Sequence, residues 1–344
     1  MARISIGLFS SRGDKQTDLL ARRLHELAPG VAHHFTIPEA GAPPVALDRM
    51  AIEWDGINVA DLDHAYIHGF RYANPALPRA LEEADWTLWQ TDYITDQQRM
   101  SFLHSAFSEL GRRGVRLFNS PAVHVHAFAL PNLFEELRQS GFRVPPLICT
   151  NDRDAAEAFC GQAGVSVWRP TTGRAPWQRC TPYRRDRVIG LDKPPILIAG
   201  VVQGPLIRAY LFDGKPLLLV KSKAPAFAPP LERLEVFLAV ECPEVYGDLE
   251  RLAQALQLGW GAVSFVVQEH QPWIYAIDPD PVWTELPGPH AERVVTGLAK
   301  GLAGEDLTEL GELTAEPQPR KTLFLRRMLQ PLFELEHRKY HPDT

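Results

Sequence analysis

The chain has few cysteines and little cysteine order. Its 344 residues hold Cys149, Cys160, Cys180 and Cys242, with no CxxC pair and no zinc-ligand spacing. They read as buried or unbridged thiols of a reducing compartment, the cytoplasm, and disulfides are not expected. No apolar run approaches the ~18 residues needed to cross a bilayer, and Ile4 to Phe9 is too short for a signal-peptide core. A basic excess is missing too: the net charge of -6 argues against a general binder of nucleic acid or anionic membrane. The GxxxxGK, GxGxxG and GxSxG patterns are absent, so P-loop, dinucleotide and hydrolase-elbow readings have no motif behind them. Neither an internal repeat nor a low-complexity tract is found, which removes solenoids and arrays. What is present, 45% hydrophobic and 23% charged residues, suffices for two or three domains with a continuous core and argues against disorder.

Ile4, Ile6 and Leu8 alternate with smaller residues, and Leu20, Leu24 and Leu27 recur at helical spacing before Pro29-Gly30, predicting strand, loop and helix. The loop Ser10 to Asp14 between them lies where open α/β sheets place ligands. A second strand is expected at His64 to His68. A helix carrying Phe102, Ala106, Phe107 and Leu110 leads into a strand at Val115 to Phe118, and another helix carries Leu130, Phe134 and Leu137. Beyond Cys149 the pattern turns to strands separated by turns such as Asp213-Gly214: Val165 to Trp168, Ile196 to Val202, Ile207 to Leu211, Pro216 to Val220, Ala262 to Val267 and Trp273 to Ile277. Tyr246 to Leu258 is the one helix expected among them. The boundaries are an α/β domain at 1–120, a small helix-and-strand lobe at 121–205, an antiparallel lobe at 206–315 and a basic tail at 316–344. In that tail Leu325, Leu329 and Phe333, amid Arg320, Lys321, Arg326, Arg327 and Lys339, predict a helix over 320–339 whose apolar side is covered by the protein itself or by a second chain.

Five stretches in this order carry a family resemblance. They are Asn119-Ser120-Pro121; Leu137 to Pro145; Val167 to Gly173; Gly204 to Arg208 followed by Tyr210; and Tyr275 to Pro281, YAIDPDP. Together they resemble the NSP, hinge, vvKPxxG, GxdlRvyv and EVNPxP stretches of ATP-grasp enzymes of the glutathione synthetase and ribosomal-protein glutamate ligase kind. The resemblance implies an α/β protein with an ATP-grasp fold behind an N-terminal α/β pre-ATP-grasp domain. In that family two sheet-containing lobes clasp ATP, a carboxylate is phosphorylated, and an amine attacks the acyl phosphate. Such phosphoryl transfer rests on positioning and charge neutralisation, with hard oxygen ligands for Mg²⁺.

Residue by residue, the resemblance implies that Arg208 is the catalytic cation, that Arg169 with the loop Thr171, Thr172 and Gly173 covers the phosphates, and that Asp278 and Asp280 are the metal carboxylates. Glu269 could stand in as a further ligand. Several family positions are replaced. The family's first lysine position falls near Leu130, with no lysine within reach; its second lysine is Arg169, its adenine-linker glutamate falls on Ala199-Gly200, its first metal aspartate on Ser264 and its metal glutamate on Ala276. Two functions follow. One is a degenerate relative, a pseudoenzyme acting as a binding or partner subunit. The other is an active, divergent ligase joining an amine to a peptide or small-molecule carboxylate, with ATP and magnesium as cofactors. A protein or peptide partner and a homo-oligomer are both left open; nucleic acid and membrane are not expected. Arg208 is expected in the cleft between the last two lobes, paired with Asp278 or Asp280, because a cleft arginine needs an anion.

The same residues also have plainer readings. Asp278 and Asp280, flanking Pro279, suit a turn, and the prolines forbid a regular central strand. Thr171 to Arg174 suits a surface loop. His124 with His126, and His64 with His68, share a face if extended but lack acidic or cysteine partners at ligand spacing. Trp86 to Gln90, with Tyr93, reads as domain packing.

Overall fold

The computed structural model describes residues 4–38, 44–48, 51–70, 86–173, 175–181, 188–222, 237–307 and 310. The tail expected to be helical over 320–339 lies outside them, as do the side chains of Trp86 to Trp89. Among the described residues no helix is long and apolar enough to cross a membrane.

Strand β1 (Ile6–Ser10) is buried along its whole length, as a strand covered on both faces of a parallel sheet must be. Helix α1 (Lys15–Leu27) starts where the Asp14 carboxylate accepts from the Thr17 amide at 2.7 Å, satisfying one of the orphan donors of the first turn. With β2 (Ala32–Thr36), β6 (His64–Ile67) and β7 (Arg116–Phe118), β1 forms a four-stranded sheet of order β2-β1-β6-β7, parallel throughout. Sequence periodicity missed β2, whose two histidines hide the alternation. It also missed a small antiparallel sheet of β3 (Val45–Leu47), β4 (Ile52–Trp54) and β5 (Ile57–Asn58). Trp54 of β4 packs edge-on to Phe9, with ring centroids 5.0 Å apart, and joins the core that α2 (Trp86–Arg112) closes with Leu103, Ala106, Phe107 and Leu110.

The central part opens with α3 (Pro121–Phe128), which makes the His124 and His126 pair helical, not extended. Helix α4 (Leu130–Gln139) follows, then β8 (Leu147–Thr150), α5 (Arg153–Ala163), β9 (Ser166–Pro170), β10 (Gln178–Arg179) and β11 (Ile196–Gly200). The sheet runs β10-β9-β11-β8, antiparallel. Helix α5 was not visible as periodicity because its run of alanines gives it a single fully buried residue, Ala156.

The third sheet has five antiparallel strands in the order β14-β13-β12-β15-β16: β12 (Leu206–Phe212), β13 (Lys215–Ser222), β14 (Phe237–Ala239), β15 (Trp260–Gln268) and β16 (Gln271–Asp278). Asp213 and Gly214 join β12 to β13 with φ of 49° and 77°, the double positive φ that two-residue hairpins favour. A Cβ on Gly214 would meet the Glu250 Cα at 2.8 Å, so this turn also lies tight on α6 (Tyr246–Ala255). One sheet face shares a core with α6, α4 and the central sheet through Ala209, Leu211, Val263, Ile274 and Tyr275. The other packs on α7 (Gly288–Leu302) and on β1 and α1 through Tyr210, Phe212, Leu218, Val294 and Leu298. Two continuous cores thus run across the three sheets and fix their relative positions.

Candidate functional site

Antiparallel register places Arg208 of β12 opposite Ser264 of β15, and Ser264 opposite Ala276 of β16. Two residues on from Ala276, and therefore on the same face, stands Asp278. Its Oδ2 accepts from Arg208 Nη2 at 2.9 Å, while its Oδ1 accepts from the Asp280 amide at 3.3 Å. The expected Arg208 pair is thus made with Asp278. It is half-open, the two side chains being 29% and 15% exposed. The Arg208 guanidinium also lies over the Tyr210 ring at 5.4 Å. Burial works against its charge, but Tyr210 and Asp278 outweigh that and hold its pKa above the ordinary arginine value.

Arg169 reaches the same region from the central sheet. It is only 4% exposed, and burial pushes its pKa down to about 10 against the pull of the Asp278 charge. Asp278 therefore lies in the field of both guanidiniums, one from each lobe. Arg169 Nη2 donates to the Gly173 carbonyl at 2.7 Å, its guanidinium lies 5.5 Å from the Trp177 ring centroid, and its buried Nε has no hydrogen-bond partner. Trp177 Nε1 donates to the Tyr275 carbonyl, and the Tyr275 hydroxyl to the Gly200 carbonyl, each at 2.9 Å, stitching the two lobes beside the pair.

The loop after β9 is tied inward. The Thr171 carbonyl accepts from the Leu130 amide at 3.2 Å, and the Gly173 amide donates to the Ala127 carbonyl at 3.0 Å. With the Gly173 carbonyl taken by Arg169, three backbone groups of the expected phosphate loop are committed to the protein, and Thr172 is exposed. A phosphate cradle needs N–H donors, and of these three groups the Gly173 amide is the one donor, spent on Ala127.

Asp280 departs from the expectation that it shares a magnesium site with Asp278. It is fully buried, and its carboxylate turns away to a short hydrogen bond with His68 Nδ1 and to the Gly69 amide at 3.0 Å. His68 Nε2 in turn lies 3.5 Å from Asp14 Oδ2. Burial opposes charge on His68, yet hydrogen bonds to Asp14 and Asp280 raise its pKa to about 9. Asp14 is held down at about 2, burial being outweighed by His68 and the Thr17 amide. Gln16 completes the junction, donating to the Pro281 carbonyl at 3.1 Å and accepting from the Trp283 amide at 3.0 Å. The end of β6 and the first turn of α1, beside the loop where ligands of open α/β sheets usually sit, are here bound to the C-terminal lobe through His68, Gly69 and Gln16. His68 and Gln16 were missed as partners because residues more than two hundred positions apart carry no local signal.

The remaining candidate, Glu269, is also displaced. It sits with φ of 53° in the hairpin turn at the far end of β15 and β16 from Asp278, 3.5 Å from Arg143. Among the described residues no group of three or more His, Cys, Asp or Glu side chains is placed to hold a metal ion. Among the described residues, the donor set on the row of Arg208 reduces to one carboxylate already paired with that arginine, beside a serine and an alanine. Since Mg²⁺ recruits hard oxygens, carboxylates above all, these residues do not fit the ion.

Solved structures carry the same architecture. The ATP-grasp ligase PsnB, in a complex with minimal precursor, Mg and ADP, superposes with a TM-score of 0.70 over 87% of this chain and 97% of its own, at 18% identity. The macrocyclase MdnC from Microcystis aeruginosa MRC, bound with precursor peptide MdnA, gives 0.65 over 87% and 99% at 14% identity. A RimK domain ATP-grasp protein from Sphaerobacter thermophilus gives 0.56 over 87% and 99% at 13%. No protein-family profile matches the sequence, and no curated protein matches it. The chain has the ATP-grasp fold, with a parallel α/β sheet ahead of two antiparallel ones.

Proposed function

We propose that this protein is a degenerate ATP-grasp relative that binds a peptide partner without activating a carboxylate. The observation that carries the reading is the row Arg208, Ser264, Ala276 across three strands, with Asp278 neutralised by Arg208. Magnesium triphosphate needs carboxylates facing the metal and amides or lysines facing the phosphates. Here the first are reduced to one engaged aspartate, and the Gly173 amide is spent on Ala127. A peptide is the favoured partner because PsnB and MdnC, which share the fold, were each solved with a precursor or precursor peptide.

One observation favours the alternative, an active divergent ligase using ATP and magnesium. Arg169 keeps an unpartnered Nε beside the Arg208 pair, so a second guanidinium stands next to one that an incoming anion could take over from Asp278. A single experiment separates the readings. Melting of the protein is followed in rising Mg-ATP, and calorimetry measures any heat of binding. A ligand at 100 times its Kd stabilises the folded state by about 2.7 kcal/mol. The degenerate reading expects no shift at millimolar Mg-ATP, and a rise of several degrees sinks it.

A further inference from the structure

Cys160 stands in the second half of α5 and Cys180 directly follows β10, and their sulfurs are 3.8 Å apart. Both side chains are half-buried at the rim of the small core of Ala156, Ile189, Ile196 and Ile198. The first residue of β9 holds the two together. The Ser166 hydroxyl donates to Cys160 Sγ at 3.2 Å, and the Cys180 amide donates to the Ser166 carbonyl at 2.9 Å. Closing the gap to a sulfur–sulfur bond of about 2.05 Å asks each sulfur to move by about 0.9 Å, within the swing of a side-chain torsion.

We propose that Cys160 and Cys180 are a reversible dithiol and disulfide pair that clamps β10 to α5. The oxidant is a low-molecular-weight disulfide. One thiolate attacks it, forming a mixed disulfide and expelling one small thiol. The second cysteine thiolate then attacks the protein sulfur of that mixed disulfide, forming the internal bond and expelling the other small thiol. Two protein thiols and one external disulfide thus become one protein disulfide and two external thiols. In a reducing compartment such a bond follows the local thiol–disulfide balance and is not a permanent staple.

The position gives the bond a consequence. Strand β10 is reached from β9 through the segment that holds Gly173 and Trp177, both in contact with Arg169. Tying Cys180 to α5 anchors the outgoing end of that segment and restricts opening of the cleft edge. This inference stands whether or not Mg-ATP binds.

The test equilibrates the full-length protein in mixtures of reduced and oxidised glutathione, quenches by alkylation and maps the thiols by mass spectrometry of the digest. A cross-link between the peptides holding Cys160 and Cys180, two hydrogens lighter than the dithiol and reversed by dithiothreitol, is expected. It should persist in the C149S/C242S variant and vanish in C160S. Hydrogen exchange over residues 171–179 should slow severalfold on oxidation in the wild type and not in C160S. If C160S does not fold, C160A and C180A are read in its place. Alkylation or glutathionylation of the two cysteines singly at every ratio overturns the proposal, as does a bridge to Cys149, to Cys242 or to a second chain. A bridge that leaves exchange over 171–179 unchanged overturns the clamp.

Discussion

Asp278 and Asp280 flank Pro279, yet one borders the cleft between the lobes and the other is sealed where the N-terminal and C-terminal sheets meet. Asp278 keeps 15% of its side chain exposed and holds one half-open arginine. Asp280 has no exposure and holds His68 and the Gly69 amide, with Asp14 on the far side of the imidazole. A buried charge survives only with its partners in place, whereas a partly solvated one can exchange its partner for water or a ligand. The same residue type two positions apart therefore does structural work at one place and leaves chemistry open at the other.

The sharpest way to break this comparison is to remove each carboxylate in turn. Asp280→Ala leaves a buried imidazole facing Asp14 without its second anion. It should cost roughly 3–5 kcal/mol, as loss of one partner of a buried pair does. Urea denaturation checks this. A loss below about 1 kcal/mol would mean that water reaches His68 freely and that the junction is not the anchor described.

Next in size is the pH dependence of the junction. The folded His68 pKa is raised from 6.5 to about 9, so the folded state binds its proton more tightly than the unfolded chain does. The resulting stability is full below 6.5 and is lost as pH climbs through about 9. Asp14 runs the other way. Its pKa falls from 3.8 to about 2, giving stability that is present above 3.8 and lost as pH drops through about 2. The junction is therefore strongest between these two ranges. Raising pH from 6 to 9.5 should lower stability by up to roughly 3 kcal/mol, read as a falling melting temperature. His68→Gln should flatten that slope, and an unchanged slope in this variant would assign it to other groups.

Much of the architecture was legible. Alternation gave β1, β12, β15 and β16, leucine spacing gave α1 and α4, and the ordered motifs pointed to the ATP-grasp arrangement that the solved structures share. The pairing of Arg208 with an aspartate of the YAIDPDP stretch followed from the need of a cleft arginine for an anion. Other features were not legible. Strand β2 carries histidines where alternation would show, α5 buries one alanine, and the Asp280 partners, His68 and the Gly69 amide, come from just beyond β6. The 3.8 Å approach of Cys160 to Cys180 was hidden for the same reason, since spacing along the chain says nothing about a sheet edge folding back on a helix.

The smallest expected effect concerns Asp278. Asp278→Asn keeps the shape of the side chain and an oxygen for the Asp280 amide, and removes only the charge. Arg208 is 29% exposed, so solvent takes over much of the pairing, and the stability loss should stay under about 1 kcal/mol. The electrostatic consequence is larger in proportion. Asp278 lies in the field of Arg208 and of Arg169, whose Nε is already without a partner. Removing its charge leaves Arg208 without that partner and both guanidiniums without the Asp278 field. Inorganic triphosphate, tested without magnesium, should then bind more tightly than to the wild type. A gain of about 1 kcal/mol, roughly fivefold in Kd, fits charges a few ångströms apart near a protein surface, and it should shrink as salt rises. Calorimetry at low and high salt reads both effects. If the variant loses several kcal/mol of stability and gains no triphosphate affinity, Asp278 is a structural partner like Asp280. The contrast between the two aspartates then disappears.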